Sequence, residues 1–228
     1  MRRVVRTAAV GAMLASGAVV SSAQPPFEGV VSMRMGGRVA PGAAAGTPST
    51  QEVEYSISGR RVRMSMGGPA GGMTMLMMPS EKKIYVLMAA QNAYMEMPMA
   101  DVAASANRAQ AQANAPTDVK VVHTGKFETI AGAKCEHITI SATTPTGVQS
   151  SDACVSKELG AFTNPMSGMG GGAPAWQKSV EAQGFPLRIT TAEGTVMLEV
   201  TRIEKKRLPN TLFTIPETYT KMQPPARR

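Results

Sequence analysis

The sequence predicts a mainly β protein, a curved antiparallel sheet or open half-barrel covered by one to three short helices. Three observations predict it. Apolar and polar residues alternate with a period of two over much of the chain, as in strands with one face in a core. Turn signals interrupt that alternation at hairpin spacing. Only a few stretches have the composition and length of a helix.

Each element follows from its own residues. Val31, Met33 and Met35 alternate with Ser32 and Arg34. Val53, Tyr55 and Ile57 alternate with Glu52, Glu54 and Ser56. After Ser58-Gly59, Val62, Met64 and Met66 alternate with Arg61, Arg63 and Ser65, so 52–66 reads as a hairpin. Met73 to Met78 and Lys83 to Met88 flank Pro79-Ser80-Glu81-Lys82, a second hairpin with a Pro-led turn. Tyr94 to Met97 is a further strand. Ala100 to Ala115, rich in Ala, Gln and Asn, reads as a helix or a mobile segment ended by Pro116. Strands resume at Val119 to His123, Cys135 to Ser141 and Gln149 to Val155. Ser156 to Phe162 reads as a short helix capped by Ser156, and Ala175 to Ala182, around Trp176, as another ended at Gly184. Asn164 to Pro174, Gly42 to Thr50 and Gly67 to Gly72 read as loops. Leu187 to Thr191 and Val196 to Ile203 flank Ala192-Glu193-Gly194, a hairpin with Gly where a positive φ is wanted. Leu208 to Ile215 closes the domain.

The N-terminus has the form of a cleavable signal peptide. Arg2, Arg3 and Arg6 precede a small-residue apolar run from Thr7 to Val20, and Ser21-Ser22-Ala23 offers a cleavage site. The expected organisation is a signal peptide over 1–23, a single β domain over 24–222 and a flexible tail over 223–228. The expected location is the periplasm or the outside of the cell. No Cys follows the apolar run to take a lipid anchor.

The net charge of +8 falls to about +5 once the three leader arginines are removed. Basic residues are scattered and aromatic residues few, so neither a stacking platform nor a basic stripe for nucleic acid is present. Cys135 and Cys154 are the two cysteines, and an even pair in an exported chain is most simply a disulfide. That bond leaves His137, two residues from Cys135 on the same strand, without the ligands that a metal site needs. His123 is the other histidine. No carboxylate pair, nucleophile elbow or phosphate loop is recognisable, so the chain is expected not to be an enzyme, with no cofactor and no metal.

Methionine is the compositional anomaly. Of 18 in the chain, many are spaced by two: Met33/Met35, Met64/Met66, Met73/Met75/Met77 and Met95/Met97/Met99. On a strand such sets share one face. They suit the wall of an apolar cavity, because Met is unbranched and fills irregular space. The same thioethers could ligate Cu(I) or act as a reversible oxidant sink. For copper, the loop residues Met166 and Met169 are the better candidates. By alternation, Met64, Met66, Met73, Met75, Met77 and Val86 fall on the inner wall, a parity that one bulge would reverse.

Several strings resemble a known family. They are Pro79-Ser80-Glu81-Lys82-Lys83-Ile84-Tyr85-Val86-Leu87, Thr124-Gly125-Lys126, Ile130-Ala131-Gly132-Ala133-Lys134-Cys135-Glu136 and Ala153-Cys154-Val155-Ser156-Lys157-Glu158-Leu159-Gly160. The C-terminal strings are Gly184-Phe185-Pro186-Leu187, Glu199-Val200-Thr201, Leu208-Pro209, Leu212-Phe213, Ile215-Pro216 and Tyr219-Thr220-Lys221-Met222. Together they resemble an exported bacterial family of unknown function grouped with the lipoprotein-carrier (LolA/LolB-like) superfamily. The resemblance implies a half-barrel around an apolar cavity that takes acyl chains, though the carriers' polar cavity residues have no match here. The function expected is therefore that of a periplasmic binding or carrier protein for a hydrophobic ligand or lipid. Its contacts with membrane or envelope proteins are expected to be transient. The alternatives are a Met-rich copper-handling or oxidant-buffering envelope protein, and a structural adaptor with a filled core.

Overall fold

The computed structural model describes residues 27–38, 49–67, 72–112, 117–144, 147–160 and 175–223. The leader, Met166, Met169 and the tail beyond 223 lie outside the described residues.

Twelve strands form one open sheet. The first six run as a meander: β1 (Glu28–Arg38), β2 (Ser49–Ser58), β3 (Arg61–Met66), β4 (Met73–Met78), β5 (Lys83–Met88) and β6 (Ala93–Pro98). Helix α1 (Met99–Gln112) follows Pro98 and packs against β6. A second meander comprises β7 (Thr117–Ile130), β8 (Ala133–Thr144), β9 (Gly147–Ser156), β10 (Phe185–Thr191) and β11 (Val196–Lys205), with α2 (Ala175–Gln183) before β10. The last described strand is β12 (Thr220–Met222). Across the sheet the order is β12-β6-β5-β4-β3-β2-β1-β11-β10-β9-β8-β7, antiparallel throughout except for the parallel β12–β6 pair.

Local chemistry sets the turns. The β7–β8 link is Ala131-Gly132, both at positive φ (49° and 82°), as a two-residue hairpin turn twisted like its strands requires. At Gly29, φ is 157° and a Cβ would stand 2.0 Å from the Glu204 carbonyl oxygen, so only glycine lets β1 and β11 approach there.

A strand pairing and a ring contact hold sequence-distant segments together. β1 pairs with β11, setting Val31 opposite Ile203 and Met35 opposite Leu198, and this seam joins the two meanders. The sheet also curls about its inner face. Tyr55 on β2 and Phe185 on β10 are separated by three strand spacings, about 14 Å in a flat sheet. Their rings nevertheless meet edge to face at 6.5 Å. One core cluster accordingly draws on both meanders, from Met64 and Met75 to Ile138, Leu187 and Leu198. Helix α2 lies against β7–β10 and contributes Val180 to that core.

The second face of β4 and β5 is buried as well. Residues Lys206 to Tyr219 run back over it as a strap with a 3-10 turn at Asn210–Phe213. Leu208, Leu212 and Phe213 cover Val30 and Met78, while Ile215 and Tyr219 cover Leu76, Tyr85 and Leu87. Glu28 accepts the Leu208 amide (2.9 Å), Arg63 donates to the Leu212 carbonyl (3.0 Å), and the Arg61 guanidinium sits 4.6 Å over the Phe213 ring. Leu208 to Ile215 thus closes the domain by covering a face.

One predicted element is replaced. Ser156 ends β9, and residues 157–160 form a turn where the sequence predicts a helix from Ser156. The Ser156 hydroxyl accepts the Glu158 amide (3.3 Å), and Gly160, at φ 78°, donates to the Lys157 carbonyl, which leaves a turn in place of a helix start.

Candidate functional site

The inner face of β1–β6 carries the methionines in cross-strand rows. The register is unbroken from β2 to β6, so parity holds across those strands. One row runs Val31, Tyr55, Met64, Met75, Val86, Met95. A second runs Met33, Val53, Met66, Met73, Met88. A third holds Ile57, Val62, Met77, Ile84 and Met97.

All six residues predicted for the inner wall lie on this one face. Met64, Met66, Met75, Met77 and Val86 are buried, with Met64 and Met75 at 0% exposure. Water reaches neither side chain. Met73 differs: it is 39% exposed and stands at the rim. Tyr55 is buried in the same wall. Burial, reinforced by the Glu181 carboxylate, pushes its hydroxyl pKa up, so it stays neutral.

The cysteines are joined across β8 and β9, with Cα atoms 5.3 Å apart. Beside them stands a charged network that crosses six strands. Arg188 on β10 donates to both oxygens of Glu128 on β7 (2.8 and 2.9 Å) and to Glu199 on β11 (3.0 and 3.1 Å). Glu199 also meets Arg34 on β1 at 3.4 Å. His137 on β8 lies between two carboxylates, with Nε2 3.1 Å from Glu128 and Nδ1 2.7 Å from Asp152 on β9. The Arg188 hydrogen bonds hold the Glu128 carboxyl below its ordinary range, with His137 adding to the effect. His123 faces Glu136 at 3.1 Å.

Glu128, His137 and Cys154 bring possible metal-ligand atoms within 4.8 Å of one another, but the disulfide takes the Cys154 sulfur. Sequence spacing shows the Cys135/His137 pair and misses Glu128, Asp152 and Arg188. These come from other strands, and no local motif announces them. A shallow groove of about 290 Å³ on the other face is lined by Ser32, Glu52, Glu54, Ser65 and Thr201, with the core residues Met33 and Val53 at its base. Its rim is polar, unlike the methionine face.

These features define a single-sheet β protein with a methionine-rich inner face and one buried disulfide. The chain belongs to the family described as "Domain of unknown function (DUF4412)", whose model matches residues 27–219. No curated protein matches it at a significant level. Among solved structures it is similar to an uncharacterized conserved protein from Thermus thermophilus, with 12% identity and a TM-score of 0.42 over 86% of this chain and 91% of that one. It is also similar to a chain of the Pseudomonas aeruginosa MucA/MucB complex, with 12% identity and a TM-score of 0.38 over 84% of this chain and 56% of that one.

Proposed function

We propose that the chain is an exported, non-enzymatic binding protein of the lipoprotein-carrier (LolA/LolB-like) type, which takes a hydrophobic ligand such as an acyl chain against its methionine-lined inner face. The observation that carries the reading is the arrangement of the rows. Their centre is closed by flexible Met64 and Met75, and their rim is open at Met73. An unbranched thioether side chain can swing aside without straining the backbone, so a wall of them can admit guests of several shapes. Each CH₂ of a buried chain contributes about 0.8 kcal/mol, so partial enclosure already gives useful affinity. The charged N-terminus, the small-residue cleavage site and the disulfide support export to an oxidising compartment.

Full burial of Met64 and Met75 favours a second reading, an envelope adaptor whose filled core holds no ligand. Mass spectrometry of organic extracts and titration with a fluorescent fatty acid separate the two. The carrier reading expects co-purified lipid and saturable probe uptake, lost in Met73→Asp. A charge at this exposed rim position leaves the fold intact, whereas Asp at Met75 would bury a carboxylate and destabilise the fold. Clean extracts and no uptake by the wild type would leave the adaptor in its place.

A further inference from the structure

We propose that Met66, Met73 and Met88 form a three-thioether site for a soft monovalent cation, Cu(I) or its surrogate Ag(I), at the rim of the inner face. The register places Met66 on β3 directly opposite Met73 on β4, and Met73 directly opposite Met88 on β5. Directly opposed residues hold their Cβ atoms about 4.5–5.5 Å apart. Met73 therefore has a thioether neighbour on each side. The pairing is unbroken across these three strands, so the three side chains stand on one face of the sheet in a single cross-strand row. Three rotatable bonds let each sulfur lean toward the central one.

The neighbouring rows lack this arrangement. Met64 and Met75 are followed by Val86, and Met77 lies between Val62 and Ile84. Uninterrupted methionine across β3, β4 and β5 is confined to the one row. It is also the row with an entrance: Met73 is 39% exposed, while Met66, at 6%, is anchored in the core. The same row continues to Val53 and Ala93, neither of which offers an oxygen ligand. Hard cations such as Ca²⁺ and Mg²⁺ need oxygen ligands, whereas neutral thioethers select Cu(I)-like ions. The site shares Met73 with the rim of the proposed hydrophobic-ligand face, but cation titration and fatty-acid uptake are separate measurements, so either proposal can fail without the other.

The test uses the full disulfide-bonded chain, titrated with Ag(I) and, against a bathocuproine-type chelator, with Cu(I). One ion per chain is expected, with an X-ray absorption spectrum showing sulfur-only coordination. Met66→Leu, Met73→Leu and Met88→Leu preserve volume while removing the sulfur, and each should weaken binding at least about tenfold. Met75→Leu, in the adjacent row, should leave binding unchanged. No binding, binding indifferent to all three substitutions, or binding lost instead in Met75→Leu or Met166→Leu would overturn the assignment.

Discussion

The curl of the sheet makes a measurable prediction at Tyr55 and Phe185. Each is 1% exposed, and their rings touch across three strand spacings. Phe185→Ala would cost about 3–5 kcal/mol through lost burial and a residual cavity. Natural domains are stable by only about 5–15 kcal/mol, so the milder Phe185→Leu and Tyr55→Leu are the substitutions to combine. An edge-to-face pair contributes about 0.5–1.5 kcal/mol beyond the area it buries. A double-mutant cycle read by urea unfolding, with the disulfide intact, should recover a coupling of about that size. Additive losses, within about 0.3 kcal/mol, would mean that the rings do not meet and that the sheet is flatter than described.

Two further outcomes follow from the second meander. The Cys135–Cys154 bond closes a loop with a sequence separation of 19, which chain entropy values at about 3 kcal/mol. Cys135→Ala, or reduction, should lower stability by about 2–5 kcal/mol. An unchanged urea midpoint after reduction would count against the bond. Glu128 has a folded pKa depressed below its ordinary 4.5 by the Arg188 hydrogen bonds. Its contribution is therefore present above the unfolded value and lost as pH falls through the lower folded value. The side chain is 36% exposed, so the effect is modest. Glu128→Gln should flatten the decline of the urea midpoint below about pH 4.5, and parallel declines would refute the pairing.

Much of the fold was legible because alternation needs only one strand to be read. Arg61–Met66, Met73–Met78 and Lys83–Met88 match the predicted strands residue for residue. The inner-face parity of Met64, Met66, Met73, Met75, Met77 and Val86 also holds, because no bulge interrupts those pairings. What escaped the sequence depends on distant chain. Leu76, Tyr85 and Leu87 are buried where alternation would leave a solvent face, because the C-terminal strap covers them. Strand β7 continues past His123 to Ile130 through a register shift, which interrupts its period-two pattern. Arg188 is an isolated charge in the sequence, and its partners come from β7 and β11. The order of the rows was likewise invisible, since Met66, Met73 and Met88 become neighbours only when three strands are aligned.

The β1–β11 seam also governs when the molecule can form. Within each meander, successive strands pair with their predecessors and can zip locally as the chain emerges. The joint between Val31 and Ile203 needs the first strand and the eleventh at once, and β12 must return to β6, the last strand of the first meander. Long-range antiparallel pairing of this kind folds slowly, because a large loop must close before its contacts form. During synthesis the first meander therefore forms before its seam. The outer Leu76–Tyr85–Leu87 patch remains open to water until Ile215 and Tyr219 arrive. That interval is when sticky β surface is most exposed to aggregation.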